Sequence, residues 1–444
     1  IGPREADPQH RQRRFGRAQG RRLTRRLVPR NILLDCFRAA LVAVDGRRVV
    51  QQELNRRPLR GSWHVVAVGK AAAAMAQGAV DALGSQLASG VMVVPVDHVP
   101  AGFSPATHGL HVTYGSHPLP DEASLAAGQA VAEFVTALDA RAQVLFLVSG
   151  GASSLVDWLV PGATLADLQA LNRWALQSGA AIAQVNALRR RISRLKGGGL
   201  ARIAQGRRTH ALMISDVPGD DPRIIGSGLL LAFPDEPAGV PGTAALPPEL
   251  RDFLDRLHSR PRTHADVPAV PVRIVASAGS ACRAAAAAAR AHGLQSRLVR
   301  TRIDGDAADL GVRFVASLAR QPEGVVQIRG GESTVSLPAQ PGRGGRNQHL
   351  ALAAALELER RGLHDAHLLA AGTDGIDGAA SDAGALVDDE TCQRGRDAGC
   401  DPIVSLARAD SGTFLEAAGD LLHTGPTLTN VGDVVLALRL GGHG

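Results

Sequence analysis

Trp63-His64-Val65-Val66-Ala67-Val68-Gly69-Lys70, with the alanine-rich run from Ala71 to about Leu83 behind it, decides the fold class. Trp63–Val68 is rich in β-branched residues, has strand length and contains no turn former, so it reads as a buried strand. The alanine run reads as a helix. A strand that meets a helix through a single glycine is the mark of a βα unit.

The same grammar recurs on both sides. Val91–Val94 reads as the next strand. Ser116–Pro120 is a rigid turn, after which Asp121 reads as the N-cap of a helix to about Leu138. Val144–Val148 runs into Ser149-Gly150-Gly151, a helical stretch covers roughly 164–190, and the strand His210–Ile214 ends in Ser215-Asp216. Eight prolines between about 234 and 271 mark a boundary region. Beyond it come a strand at Val272–Ala276, an alanine-rich helix at Cys282–His292, strands near Val325–Ile328 and Thr334–Leu337, and a helix near Asn347–Arg361. Strands at His367–Ala371 and Val434–Leu440 complete the series. The expectation is an α/β protein of two α/β/α domains with largely parallel sheets, residues 30–233 and 272–444, preceded by a basic disordered tail over 1–29.

Composition sets the outer limits. A chain of 444 residues calls for two cores, and 45% hydrophobic with 20% charged residues is globular. No apolar run approaches the roughly 18 residues of a membrane span. Cys36, Cys282, Cys392 and Cys400 lie in no metal-ligand or disulfide spacing, which fits free thiols and a cytoplasmic setting. The net charge of +7 is a property of the tail. Residues 1–30 hold ten arginines against Glu5 and Asp7, so the remainder carries −1 and offers no specific nucleic-acid surface. Of the 49 basic residues only Lys70 and Lys196 are lysines, and both stand beside glycine. In a chain that uses arginine almost everywhere, a retained lysine points to a site needing a compact ammonium.

Several strands end directly in Gly, Ser or Asp clusters: Gly69-Lys70, Ser149-Gly150-Gly151, Ser215-Asp216 and Gly372-Thr373-Asp374-Gly375. Ligands of parallel sheets bind outside the carboxyl ends of strands, and glycine there lets backbone N–H groups meet an anion. One such junction is an ordinary tight turn; four together point to a phosphorylated ligand. The dinucleotide fingerprint G-x-G-x-x-G is absent, and His64 stands where a P-loop would need its first glycine. The protein-kinase loops and the G-x-S-x-G elbow are absent too. Asp216, Asp220, Asp374 and Asp377 are the natural Mg²⁺ candidates, although an isolated Asp-Gly is more often a turn. Gly342-Arg343-Gly344-Gly345-Arg346-Asn347-Gln348 places Arg346 at a helix start, where it could clamp a phosphate or carboxylate.

Taken together, VAVGKA (66–71), SHPLPDEAS (116–124), SGGASSL (149–155), NALRRRISRLKGGGLA (186–201), SDVPGDD (215–221), GGESTV (330–335), GRGGRNQ (342–348), AGTDGIDG (371–378) and TGPTLTNVGD (424–433) resemble the glycerate 2-kinase family of MOFRL type. Some members of that family carry the label hydroxypyruvate reductase. The resemblance spans about residues 30–440. It implies two domains with the active site in the cleft between them, and transfer of the ATP γ-phosphoryl group to the 2-hydroxyl of D-glycerate with Mg²⁺ or another divalent metal. It also implies Lys70 and Arg346 as active-site residues; on physical grounds Asp374, with Asp216 as second choice, is expected beside them as the catalytic or metal-binding carboxylate. Gly69, Ser149, Gly150, Gly151, Ser153, Lys196, Gly197, Glu332, Asn347 and Thr373 are expected around substrate and nucleotide, and Asp216, Asp374 and Asp377 around the metal. A homodimer is left open. A reductase using NAD(P)H and a non-catalytic ligand-binding relative are the alternatives. The chain departs from the family pattern at His349 (Glu in the pattern), Leu428 (Gly), Gly432 (Asn), Arg191 (His) and Leu229-Leu230 (Pro-Thr).

Overall fold

The computed structural model describes residues 28–177, 182–232, 246–257, 267–299, 302–378 and 380–441. The expected tail, up to residue 27, and parts of the proline-rich region lie outside them. Contacts divide the chain into two compact units. One comprises Ala43–Ser280 with Pro426–Gly432; the other comprises Ala281–Gly425, the chain from Asp433 onward and the N-terminal segment up to Val42.

The first unit is a six-stranded, wholly parallel sheet in the order β3-β2-β1-β4-β5-β6. Its strands are β1 (Trp63–Val68), β2 (Leu87–Val94), β3 (Leu110–Tyr114), β4 (Gln143–Val148), β5 (Arg208–Ser215) and β6 (Val272–Ser277). Val66, Val68, Val93, Phe146, Val148 and Met213 form its core with Val131 and Val135 of the helix Glu122–Ala137. The strand order reverses between β1 and β4. At such a switch point the connecting loops diverge to opposite faces and open a crevice at the carboxyl ends of the strands. The expected helical stretch 164–190 is two helices, Leu165–Gln177 and Ile182–Ile192, which build a separate apolar cluster with Leu250, Phe253 and Leu254.

The second unit also has six strands, in the order β11-β10-β9-β12-β8-β7. They are β7 (Gln295–Leu298), β8 (Val325–Gly331), β9 (Ala366–Gly372), β10 (Gly384–Asp388), β11 (Leu421–Leu422) and β12 (Asp433–Arg439). Helices Ala307–Leu318 and Arg346–Arg361 pack on it through Leu310, Phe314, Leu350 and Leu358. No helix among the described residues is long and apolar enough to cross a membrane.

Three expectations change. The second sheet is mixed: only β7 and β8 run parallel, and the other pairings are antiparallel. An apolar run buried on both faces looks the same in either direction, so direction was not in the pattern. Val272–Ser277 pairs with β5 and belongs to the first sheet, so the division falls near Ser280 rather than at 272. Prolines mark where a ladder stops, and carry nothing about which sheet the next strand joins. Thr334–Leu337 is not a strand: Thr334 makes one isolated bridge to Asp306, and Leu337 is exposed.

Asp121 caps the helix Glu122–Ala137 as expected. Its carboxylate accepts the Ser124 N–H at 3.1 Å and the Ser116 hydroxyl at 2.5 Å, and the Ser124 side chain answers the Asp121 N–H. Removing such a cap costs about 1 kcal/mol. Asp121→Ala should therefore speed hydrogen exchange of the first-turn amides about fivefold; unchanged exchange there would contradict the cap.

Candidate active site

The switch point is held together by backbone approach. Gly69 has a φ of 129°, and a Cβ at that position would overlap the Ser149 hydroxyl and carbonyl. Only glycine permits this contact. Across it, the Ser149 Oγ accepts the Ala71 N–H at 3.0 Å, and the Lys70 N–H donates to the Gly150 carbonyl at 2.9 Å. Ser149 is fully buried, so its hydroxyl joins the ends of β1 and β4. Lys70 is half-buried. A Cβ on Gly151 would lie 3.1 Å from Lys70 Cγ and 3.3 Å from the His117 ring, so the lysine stem runs over Gly151 beside His117.

Asp216, at the end of β5, completes this face. Its Oδ2 accepts from the Asn430 amide at 3.1 Å, and a Cβ on Gly150 would collide with both groups. The Asn430 Oδ1 accepts the Gly432 N–H at 3.1 Å, which turns the amide nitrogen toward Asp216. Thr429 pins the segment by donating to the Val44 carbonyl at 2.6 Å. Asn430 was not singled out from sequence. It stands 214 positions from its partner, and its signal was confined to the TGPTLTNVGD segment.

Ser153 lies 3.0 Å from the Ser227 hydroxyl, which donates to Asn186 Oδ1 at 2.9 Å. Lys196 departs from expectation. Its side chain is fully buried and ion-paired with the equally buried Asp157. Burial pulls the ammonium pKa below its ordinary value, and the Asp157 charge opposes that pull. Lys196 is therefore part of the interior of the first unit, paired with Asp157. Gly197 shares this framework role: its N–H donates to the Ser227 carbonyl at 3.2 Å.

In the second unit, Asp433 opens β12 between Gly331 at the end of β8 and Gly372 at the end of β9. Arg346 begins the helix Arg346–Arg361. Its Nε and Nη2 donate to the two Asp433 oxygens at 2.7 and 3.0 Å, and its Nη1 lies 2.6 Å from Glu332. Burial works against the arginine's charge; Asp433 first, then Glu332 and Asp377, outweigh it and raise its pKa. Asn347 donates to both Asp433 and Asp377.

Asp377 is a helix cap. The helix N-cap is Gly345, which has no side chain, and Asp377 accepts the Asn347 and Gln348 N–H groups at 3.0 and 2.8 Å in its place. Burial pushes its pKa up to about 7, against those donors. With both oxygens engaged and 1% exposure, Asp377 does not fit the expected metal role. Asp374 is half-buried, its Oδ1 accepting the Ile376 N–H at 3.2 Å, while Thr373 is fully buried. Among the described residues no group of three or more metal-ligating side chains is assembled. Mg²⁺ brought by a nucleotide needs only one or two protein carboxylates, which Asp374 or Asp216 can offer. His349 shares a bond with the Ser411 hydroxyl at 3.2 Å, and burial lowers its pKa. The departure from the family pattern thus lies outside the carboxylates that hold Arg346.

Residues 32–240 match the family described as a domain of unknown function (DUF4147), and residues 325–433 match the MOFRL family. The chain is 33% identical to a D-glycerate 2-kinase of Thermotoga maritima, covering 92% of this chain and 98% of that protein. It is 40% identical to a putative hydroxypyruvate reductase of Agrobacterium vitis, covering 91% and 93%. The fold matches the crystal structure of a glycerate kinase from Thermotoga maritima with a TM-score of 0.78 at 30% identity, covering 92% and 99%.

Lys196→Met strands Asp157 as a buried charge, a loss of about 3–5 kcal/mol. A marked drop in melting temperature is expected, largely recovered by adding Asp157→Leu. Unchanged stability with lost nucleotide binding would instead restore Lys196 to the ligand.

Proposed function

The chain belongs to the MOFRL-type glycerate 2-kinase family, and we propose that it transfers the γ-phosphoryl group of ATP to the 2-hydroxyl of D-glycerate, giving 2-phosphoglycerate and ADP. The observation that carries this reading is the β1–β4 switch point. It is furnished with Lys70 and a glycine-lined turn, without the glycine fingerprint of a dinucleotide fold.

Phosphoryl transfer asks a protein mainly to position groups and to offset charge. The substrate hydroxyl oxygen attacks the γ-phosphorus, the bond to the β–γ bridging oxygen breaks, and ADP departs with that electron pair. Lys70 supplies a positive charge at a backbone-lined turn where phosphoryl oxygens can lie close to N–H groups. Arg346, whose Nε–Nη2 edge is held by Asp433, supplies a fixed positive charge for a carboxylate or phosphate. Asp216, oriented by Asn430, and Asp374 are the carboxylates assigned to accept the hydroxyl proton or to hold Mg²⁺. Bound with the nucleotide, Mg²⁺ would neutralise charge on the phosphates. Gly69, Ser149 and Gly150 shape the turn, Ser153 meets the Ser227 hydroxyl, and Asn347 shares Asp433 with Arg346. We assign the protein to the cytoplasm, where ATP is at hand, and leave its assembly as monomer or homodimer to measurement.

A reductase acting on hydroxypyruvate remains the second reading, because the 3-2-1-4-5-6 strand order is also that of dinucleotide-binding sheets. Oxidation of NADH or NADPH by the purified chain with hydroxypyruvate would favour it.

The direct test couples ATP turnover with D-glycerate and Mg²⁺ to enolase, with no mutase present. Enolase consumes only 2-phosphoglycerate, so a signal reports both the acceptor and the position. ADP release without that signal would mean another acceptor or regiochemistry. Lys70→Arg and Arg346→Lys keep charge and change geometry, and each should lower kcat/KM by about 10²-fold. Near-normal turnover in both would remove these residues from the mechanism.

A further inference from the structure

Arg297, Arg313 and Arg329 gather on one face of the second sheet. Arg297 lies on the edge strand β7, opposite Gln327 of β8, and Arg329 follows Gln327 by two positions. Successive strand residues point to opposite faces, so the side chains of Arg297, Gln327 and Arg329 leave the sheet on the same side. The helix Ala307–Leu318 covers that side. Gln327 donates to the Ser317 hydroxyl at 2.7 Å, and the Arg329 guanidinium lies 4.5 Å from the centre of the Phe314 ring. Arg313, on the same helix, donates from Nε to the Asp309 carbonyl at 3.3 Å. Asp306 is committed to the helix start, where its carboxylate accepts the Ala308 and Asp309 N–H groups at 2.9 and 3.1 Å. Among the described residues, none of these guanidinium groups forms an ion pair.

In a chain this rich in arginine an exposed guanidinium is ordinary, and Arg297 and Arg313 are exposed. Arg329 is different. It is half-buried, and its Nε is shut off from solvent without a hydrogen-bond partner among the described residues. Burial first, and then the charges of Arg297 and Arg313, pull its pKa below the ordinary arginine value. Stacking on Phe314 offsets part of the lost hydration, and a counter-charge among the arginines would offset the rest. We propose that Arg297, Arg313 and Arg329 form an anion site for a phosphate group, with Phe314 holding Arg329 and the two exposed arginines closing on the ligand from β7 and from the helix. A phosphate suits the site because its several oxygens can accept from more than one guanidinium fork at once. The ligand is a small phosphate-bearing molecule, and its two sources are a single phosphate group and a polyphosphate. The assignment stands apart from the kinase reading and uses neither Lys70 nor Arg346.

Calorimetric titration of inorganic phosphate and of pyrophosphate into the full chain, at constant ionic strength and without turnover, tests the site. Arg297→Gln combined with Arg313→Gln should weaken one binding component about tenfold. The same component should persist in Lys70→Gln, where the change lies at the β1–β4 turn. Tighter binding of pyrophosphate than of phosphate marks a polyphosphate as the ligand, and equal or weaker binding marks a single phosphate group. The proposal is overturned if neither probe binds at about 10 mM, if the double substitution leaves binding unchanged, or if the component is lost in Lys70→Gln. Arg329→Met keeps an apolar stem against Phe314 and removes the guanidinium, so the rise in melting temperature that phosphate gives the wild-type protein should disappear. An equal rise in that variant removes Arg329 from the site and overturns the proposal. If Arg329→Met does not fold, the double substitution still decides, because both of its positions are exposed.

Discussion

The approach of Gly69 to Ser149 is the contact on which the first unit's chemistry depends. With no side chain at Gly69, β1 leaves the sheet close enough to β4 for the Ala71 N–H to reach the Ser149 hydroxyl and the Lys70 N–H to reach the Gly150 carbonyl. Those bonds set where the helix Ala72–Leu83 starts and so where Lys70 stands. Any Cβ at Gly69 would push the two strand ends apart at the point where the strand order reverses. The site is therefore a consequence of backbone packing before it is a set of side chains.

In the second unit the controlling element is charge. Asp433, Asp377 and Arg346 are placed where water is scarce, and each is tolerable only because the others are there. Asp377 takes the first-turn N–H groups of the helix Arg346–Arg361, Asn347 bridges both aspartates, and Asp433 binds the arginine fork. The glycine at 345 belongs to the same scheme, because a side chain there would occupy the place of Asp377. A loop, a helix start and a strand start are thereby locked into one arrangement. Arg346 is thereby held in one orientation.

The two lysines show how a sound inference can split. At Lys70 the ammonium stands at a half-buried turn beside Gly151 and His117. At Lys196 it lies in the interior, paired with the buried Asp157. Residue type is the same at both positions; only the fold separates a half-buried lysine from a fully buried one.

The strand-to-glycine junctions, the Asp121 cap, the helix beginning near Arg346 and the family motifs were all legible in the linear chain, because periodicity, capping chemistry and turn residues act over a few positions. Strand direction in the second sheet, the allegiance of Val272–Ser277 to the first, and the partners of Asp216, Arg346 and Asp377 were not. Each depends on residues between 13 and 214 positions apart, which nothing in a local pattern connects. Asn430 and Asp433 make the point most directly. They sit three residues apart in one motif, yet the first orients a carboxylate in one unit and the second holds an arginine in the other. Sequence determined which chemical groups were available and on what local scaffold. Tertiary structure decided which of them meet, because burial and charge pairing are properties of neighbours in space.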